Sequence, residues 1–294
     1  MGEVEKGEAE KGEAQTGGAS VLDGHKLVFV GGLHRSGTTP LARVLAEHPD
    51  VSGFGATRPT GVTEDEGQHL QDLYPAARAY GGAGRFALDP RSHLTESSPL
   101  VSEAGAARLL GQWAPYWDLE REVLVEKSPP NLVMTRFLQA LYPDAYFVII
   151  VRHPVVVALS TEKWLHAKTL RTPMANWFAA HDAFAADAAR LSRVHVVKYE
   201  ALVRDPAAEL GAIGAFLGLA GPVPTESWQG GRSDAYTRRW QELGAGAQPW
   251  QLGRQRQRRL RSSLVRTYAQ RAADYGYDLE DLDDVHPWPL NRSA

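Results

Sequence analysis

The chain has 294 residues, of which 43% are hydrophobic and 23% charged, so it can bury the core of an ordinary globular protein. A formal net charge of −3 argues against a nucleic-acid binder, and the absence of Cys excludes disulfides, thiolate metal sites and a Cys nucleophile. No apolar run approaches the roughly 20 residues that span a bilayer, and the N-terminus lacks a signal-peptide pattern, so the sequence predicts a cytoplasmic protein without a membrane span.

Residues 1–24 are predicted to form a disordered acidic tail. Residues 1–20 hold five Glu against two Lys among Gly and Ala, with Val4 as the one large aliphatic side chain after Met1. Such a composition cannot bury a core. The remainder, 25–294, is predicted to be a single domain with a nucleotide-binding core at 27–220 and a C-terminal helical, acceptor-binding region at 221–294.

The predicted elements alternate between strands and helices. The short apolar run at 27–30 is typical of a buried parallel strand, and the residues that follow it predict a helix over 38–47. A polar, Gly-rich segment at 50–62 then leads to a short helix headed by Thr63. Further strands are predicted at 123–125, 146–151 and 194–197, and further helices at 101–113, 131–141 (with Asn131 as its cap), 154–167, 173–191, 206–217 and 256–274. This order predicts βαβ units and an α/β domain in three layers, with a mostly parallel central sheet flanked by helices.

Residues 32–39 follow the first strand directly and open the next helix, with the sequence Gly-Leu-His-Arg-Ser-Gly-Thr-Thr. The spacing is that of a P-loop, G-x-x-x-x-G-K-[ST], except that Thr38 replaces the Lys. Backbone N–H groups at a helix N-terminus bind anions, and Arg35, Ser36, Thr38 and Thr39 add donors. Without the Lys this P-loop-like segment is poorly equipped for γ-phosphoryl transfer, but it can hold a 5′-phosphate and a group attached to it.

A second anion site is predicted at the end of the strand 146–151. Arg152 follows this strand, and Ser160 lies eight residues further on. An Arg at a strand's carboxyl end and a Ser two turns into the next helix can converge on one anion. Taken alone, Arg152 has an ordinary alternative as a salt-bridging residue, and Ser160 as a solvated helix residue. The interpretation of the pair as an anion site depends on the P-loop-like segment 32–39, called the phosphate loop below.

Together these segments resemble the sulfotransferases that use 3′-phosphoadenosine 5′-phosphosulfate (PAPS), over roughly residues 27–220. The R-S-G-T-T form of the loop is typical of the tyrosylprotein sulfotransferases and of a large bacterial group. The resemblance implies that PAPS is bound without a metal and leaves as 3′,5′-adenosine bisphosphate. It also implies that Arg152 and Ser160 grip the 3′-phosphate and that Tyr199 contacts the nucleotide, although a core tyrosine is the alternative. The residues implied for the 5′-phosphosulfate are Arg35, Ser36, Gly37, Thr38 and Thr39.

The general base is predicted among acidic residues and a His that follow the first helix. Glu66-Gly67-Gln68 resembles the Glu-x-Gln of the heparan sulfate N-sulfotransferases, which favours Glu66, while Glu64, Asp65 and His69 stay open. The alternative for Glu66 is structural, because the run that Thr63 heads has the spacing of a capping box. The match to the tyrosylprotein enzymes fails at Gly55 and Ala56, which occupy the corresponding acidic positions.

Lys127 is the second predicted catalytic residue. It stands in Glu-Lys-Ser-Pro-Pro, which resembles the family's Lys-x-Pro segment, whose Lys stabilises the transferring sulfate and the leaving oxygen. The alternative is an exposed Lys at a strand end. His34, inside the loop, could contact the sulfate or pack beneath it.

The sequence therefore predicts transfer of the sulfuryl group of PAPS to a hydroxyl of a small-molecule acceptor, either a carbohydrate or a natural product. The alternatives are a nucleotide-binding protein of this fold without catalysis, or a P-loop kinase, which needs a Lys and an acidic Mg²⁺ ligand. The run of Arg residues within 254–261 has three alternative interpretations: a solvated helix face, a cover over the 3′-phosphate, or a binding site for an acidic acceptor. Flat surfaces for an acceptor are offered by Trp113, Tyr116, Trp117, Trp164, Trp177, Trp228, Tyr236, Trp240 and Trp250.

Overall fold

The computed structural model describes residues 22, 24–56, 58–165, 169–228, 230–231, 233–245 and 252–289. Nearly all of the predicted acidic tail lies outside the described residues, as does Trp250. Among the described helices, none combines the length and the apolar composition that a bilayer crossing requires.

A five-stranded parallel sheet forms the centre of the molecule, as the alternating pattern predicted. Its strands are β1 (Lys26–Gly31), β2 (Val51–Gly53), β3 (Val123–Lys127), β4 (Tyr146–Val151) and β5 (Val194–Lys198). They lie in the order β2-β3-β1-β4-β5, with Phe29 of β1 opposite Glu126 on one side and Phe147 on the other. In such an open sheet, ligands bind beyond the carboxyl ends of the strands, between neighbours whose outgoing connections run in opposite directions. Here these neighbours are β1, which is followed by β2 on one side, and β4, which is followed by β5 on the other.

Helices cover both faces of the sheet and give the three predicted layers. They are α1 (Thr38–Leu45), α2 (Glu103–Trp113), α3 (Thr135–Leu141), α4 (Pro154–Thr161), α5 (Arg171–Ala188), α6 (Tyr199–Arg204), α7 (Pro206–Leu217), α8 (Ser233–Gly244) and α9 (Leu252–Asp274). Alternate residues of β1 belong to different cores: Leu27 and Phe29 pack on the side of α2 and α5, and Val28 and Val30 on the side of α1 and α7.

Several predicted boundaries differ from the structure. The helices predicted at 154–167 and 173–191 end earlier, at Thr161 and Ala188. The short strand β2 lies inside the segment that was predicted to be a polar loop, and the helices α6 and α8 were not predicted. Three residues are too few to show a period in the sequence, so β2 is defined by its pairing with β3.

The predicted cap at Asn131 is wrong. Asn131 lies within a 3₁₀ turn, Pro129–Val133, and the helix after it begins only at Thr135. The Asn131 amide instead donates to the carbonyl of Val30, 3.1 Å away, and to the buried carboxylate of Glu126. Its side chain therefore joins β1 to β3 and does not begin a helix.

The short helix predicted from Thr63 is two 3₁₀ turns, Thr63–Asp65 and Gly67–His69. Glu64 and Asp65 both have left-handed backbones, with φ of 55° and 52°. An α-helix cannot continue through such residues, and non-glycine residues in this region store strain of about 1–3 kcal/mol each. The strained turn presents the next residue, Glu66, to the cleft described below.

Candidate active site

Most of the predicted site residues meet at the carboxyl edge of the sheet. The phosphate loop follows β1, Lys127 ends β3, Arg152 follows β4 and Tyr199 follows β5. A cleft of about 620 Å³ opens at this edge. Of the predicted residues, those that line it are Arg35, Gly37, Thr38, Thr39, Glu66, Arg152 and Tyr199, together with the alternative bases Glu64 and His69.

The phosphate loop has the backbone that an anion-binding turn needs. Arg35 has a left-handed φ of 72° and Gly37 a φ of 102°. A Cβ at Gly37 would lie 2.7 Å from the ring of Tyr199, so both the conformation and the space require glycine. Thr38 and Thr39 then begin α1 beside the cleft, at the turn whose N–H groups have no intrahelical partner.

Ser36 lies at the centre of this loop but is fully buried. Its Oγ has no hydrogen-bond partner among the described residues, and the same holds for Nδ1 of the neighbouring His34. An unpaired buried polar atom costs about 1–3 kcal/mol. Polar atoms left unpaired in a phosphate loop fit a site that an anion completes.

Arg152 is a buried cation that has no carboxylate within salt-bridge distance in the part of the chain that the structure describes. It is 6% exposed, and its guanidinium donates to the carbonyl of Arg35 at 3.0 Å and to Oγ of Ser233 at 2.9 Å. Its Nε has no hydrogen-bond partner among the described residues. Glu200 attracts it from farther away, but the Glu200 oxygens accept from the backbone N–H of His153 and from the Tyr277 hydroxyl. A guanidinium held this way is prepared for an anion from outside the protein.

Tyr199 connects three parts of this anion site. The guanidinium of Arg152 lies 4.0 Å from the centre of the Tyr199 ring, and the same ring packs against Gly37. The Tyr199 hydroxyl accepts from the backbone N–H of Gly231 at 2.9 Å. Tyr199 is therefore a site residue as well as a buried one, and it fixes the segment around Gly231 against the phosphate loop.

Among the described residues Ser160 and Arg152 share no hydrogen bond, and their joint binding of a 3′-phosphate stays a prediction. Ser160 is buried in α4, where its hydroxyl donates to the carbonyl of Val157 at 3.0 Å. The hydroxyl beside the guanidinium belongs to Ser233 instead. Sequence reasoning missed Gly231 and Ser233, because only the folded chain brings them to Arg152. Trp164 and Tyr236, two of the aromatic residues predicted to offer acceptor surfaces, also line the cleft.

Lys127 is buried at the end of β3 and touches both the phosphate loop and the acidic segment. Its Nζ donates to Oγ1 of Thr39 at 3.1 Å and to the carbonyl of Glu64 at 2.6 Å, and it lies 3.4 Å from Oε1 of Glu66. Burial lowers the pKa of Lys127, and the nearby Glu66 opposes this shift. The alternative of an exposed strand-end Lys is therefore wrong.

Glu66 is 7% exposed, and its carboxylate takes part in no capping box. It accepts a hydrogen bond from the side-chain amide of Gln68, and its Oε2 lies 3.7 Å from Nε2 of His69. Glu64, by contrast, has a half-exposed side chain 4.0 Å from Arg43. Of the acidic candidates, Glu66 is the one held at the cleft beside Lys127.

A buried network supports Glu66 from below. Glu126 is fully buried and accepts hydrogen bonds from Oγ of Ser128 at 2.6 Å and from Nδ2 of Asn131 at 2.5 Å. The Ser128 hydroxyl in turn accepts from the backbone N–H of Gln68 at 2.9 Å. Burial raises the pKa of Glu126 to about 7. This network was not predicted from the sequence, since it joins Gln68 to Ser128, 60 residues further along the chain.

A parallel sheet flanked by helices, with a P-loop-like turn after its first strand, defines an α/β protein with a P-loop-like fold. Residues 28–222 match the model described as the sulfotransferase family, which is more than half of the chain. The chain belongs to the sulfotransferase family, which confirms the resemblance inferred from its motifs.

Two curated relatives and one solved structure illustrate this membership. Protein-tyrosine sulfotransferase 2 of Gallus gallus is 26% identical over 204 residues, which cover 66% of this chain and 51% of the relative. Nodulation protein NoeE of Sinorhizobium fredii is 25% identical over 134 residues, which cover 46% of this chain and 30% of the relative. The chain thus spans about half or less of the length of these relatives. Sulfotransferase STF9 from Mycobacterium avium superposes with a TM-score of 0.50 at 15% identity, over 89% of this chain and 80% of that one, and shows the same fold.

Proposed function

We propose that this chain is an enzyme that transfers a sulfuryl group from PAPS to a hydroxyl of a small-molecule acceptor, such as a carbohydrate or natural product. The observation that carries the proposal is the buried guanidinium of Arg152, which has an unpaired Nε and no carboxylate within salt-bridge distance among the described residues. A nucleotide with a second phosphate, separate from the one in the loop, supplies the missing anion. AMP and ATP lack that 3′-phosphate.

The residues present fit such a nucleotide. The unpaired hydroxyl of Ser36 and the first-turn amides at Thr38 and Thr39 suit a 5′-phosphate group. Arg152, with Ser233 beside it, suits the 3′-phosphate. When bound, PAPS supplies the sulfuryl group, whose S–O bond to the 5′-phosphate breaks as the acceptor oxygen forms its bond to sulfur.

Glu66 and Lys127 have complementary roles in this proposal. The Glu66 carboxylate, oriented by Gln68, takes the proton of the acceptor hydroxyl as that oxygen becomes the nucleophile. Lys127 contacts Thr39 of the loop, so with PAPS bound there its ammonium would stabilise the negative charge that the departing phosphate oxygen gains. Because the two side chains also pair with each other, each holds the other in place before the acceptor arrives.

Calorimetric titration with 3′,5′-adenosine bisphosphate, AMP and ATP tests the proposal. We expect the bisphosphate to bind at least ten times more tightly than AMP, and we expect Arg152→Ala to abolish that preference. Arg193→Ala is the matched control, because Arg193 also lies over a tyrosine ring, 5.3 Å from Tyr146, but precedes β5 at the opposite edge of the sheet.

Equal affinity for AMP and the bisphosphate would refute the second phosphate site. A Mg²⁺-dependent preference for ATP would favour a kinase. An assay of sulfate transfer then distinguishes an enzyme from a binding protein without catalysis. PAPS consumption that requires an acceptor and is lost in Glu66→Gln would support an enzyme.

A further inference from the structure

A second cleft, of about 690 Å³, adjoins the candidate active site. Trp164 lines both clefts, and the remaining wall of the second one comes from 80–91 and Leu165. This part of the chain contains the 3₁₀ turns Ala77–Tyr80, Phe86–Leu88 and Pro90–Ser92. Volumes of roughly 300–1,000 Å³ are those of small-molecule sites.

Apolar side chains of the second cleft are exposed to solvent and are not packed in the hydrophobic core. Trp164 is 47% exposed and Leu88 44% exposed, and both belong to the few large hydrophobic side chains that the described residues leave exposed. Tyr80 contributes a third flat or apolar surface to the same cleft. Exposed apolar side chains that gather in one cleft indicate a binding surface, whereas scattered ones do not.

The charge of this cleft is positive. Arg91 donates to both oxygens of Asp89, at 3.0 and 3.2 Å from its Nε, so these two charges cancel. Arg85 is exposed and, within the described part of the chain, forms no ion pair or hydrogen bond through its side chain. The cleft therefore holds one uncompensated guanidinium beside apolar walls, an arrangement that complements an anion attached to a flat ring.

The same segment is attached directly to the phosphate loop. The ring of Phe86 meets the ring of His34 edge-on, with centroids 5.7 Å apart. The guanidinium of Arg35 lies 5.5 Å from the centre of the Trp164 ring. Trp164 thus lies at the boundary between the two clefts. A ligand that packs along its ring would reach into both clefts.

We propose that the second cleft binds the acceptor, and that the acceptor is a planar-ringed hydroxyl compound carrying a carboxylate or other anionic group. Its ring lies along Trp164, Leu88 and Tyr80, its anion pairs with Arg85, and its hydroxyl extends past Trp164 to the first cleft. This inference rests on the proposed function, because the hydroxyl is an acceptor only if PAPS occupies the first cleft.

The test compares 6-hydroxy-2-naphthoate with its neutral analogue 6-hydroxy-2-naphthamide by calorimetry, with and without 3′,5′-adenosine bisphosphate. We expect the carboxylate to bind at least ten times more tightly than the amide. Arg85→Ala removes the preference, and Leu88→Asn weakens the binding of both compounds. Arg78→Ala is the control, since Arg78 is an exposed residue of the turn Ala77–Tyr80 that does not line the cleft.

Equal affinity for the two compounds, no binding of either, or the same loss in Arg78→Ala as in Arg85→Ala would overturn the proposal. Affinity for the bisphosphate is measured separately on each variant and stays unchanged in Arg85→Ala. If the bisphosphate fails to bind but the naphthoate preference persists, the PAPS assignment is refuted while the anion-binding cleft stands. If the bisphosphate binds and the preference is absent, only the acceptor cleft is refuted.

Discussion

Gly67 lies against the carboxylate of Glu126, so closely that a Cβ at this position would be 2.4 Å from Oε1. Glu126 is held by Ser128 and Asn131 and cannot move aside without breaking both hydrogen bonds. Gly67 also offers its carbonyl to Nε1 of Trp113 at 3.0 Å. Gly67, which follows the proposed base, is therefore held by contacts on two sides. The close approach to Glu126 leaves no room for a Cβ, so it requires glycine at this position.

Gly67→Ala should lower kcat at least tenfold and destabilise the fold by about 1–3 kcal/mol, as overpacking of a buried site does. The physical reason is that the added methyl group displaces either Glu126 or the turn that carries Glu66. Steady-state kinetics and denaturant unfolding measure the two effects. Gly111→Ala is the control, because a Cβ there meets nothing within 4 Å in the last turn of α2 and should stabilise the helix by about 0.5–1 kcal/mol. An unchanged kcat in Gly67→Ala would contradict the role of the contact between Gly67 and Glu126 in positioning Glu66.

Glu66→Gln should reduce kcat by about 10²–10⁴, the usual contribution of a general base. Affinity for 3′,5′-adenosine bisphosphate should stay equal or rise, because Lys127 loses its anionic partner while remaining buried. Glu64→Gln is the matched control, since its side chain is half-exposed. A larger kcat loss in Glu64→Gln than in Glu66→Gln would move the base to Glu64.

Tyr199→Phe should weaken bisphosphate binding by about fivefold, which corresponds to one neutral hydrogen bond of about 1 kcal/mol. The lost bond is the one that Gly231 N–H donates to the Tyr199 hydroxyl. Tyr199→Leu should weaken binding further, because it also removes the ring beneath the Arg152 guanidinium. Calorimetric Kd values rank the three proteins, and equal affinities would show that Tyr199 is only a core residue.

Glu126 should make the stability of the fold depend on pH between about 4.5 and about 7, because burial raises its folded-state pKa from 4.5 to about 7. Below pH 4.5 the carboxyl is protonated in both the folded and the unfolded chain. As the pH rises to 7, the unfolded chain releases this proton first, so the free energy of unfolding falls. In Glu126→Gln this part of the decline disappears. Urea unfolding of both proteins at pH 4.5, 6 and 7.5 measures the difference, and parallel curves would mean that Glu126 titrates normally.

The parts of the site that the sequence predicted are local ones. The phosphate loop is a single run from Gly32 to Thr39, and its strand, turn and helix follow each other without a gap, so spacing alone identifies it. Lys127, Arg152 and Tyr199 each stand at or just after the end of a buried strand. Because parallel strands end at one edge of a sheet, predicting the strands was enough to predict that these residues meet.

The parts that the sequence did not predict depend on residues far apart in the chain. Arg152 donates to Ser233, which is 81 residues away and was not among the predicted site residues. Glu66 has the spacing of a capping box, yet two left-handed residues interrupt the helix and leave its carboxylate free for Gln68 and Lys127. A local pattern states which hydrogen bonds a side chain can form, and the competition between local and distant partners is decided only in the folded chain.

By itself, the sequence determined the α/β fold, the P-loop-like turn and the edge of the sheet at which the cleft opens, because apolar period and turn spacing act within a few residues. Only the tertiary structure decided the rest: the pairing of Glu66 with Lys127, the Glu126 network beneath them, and the second cleft beside Trp164. Burial is the physical reason. It raises the pKa of Glu126 and lowers that of Lys127, and burial is a property of the packed molecule.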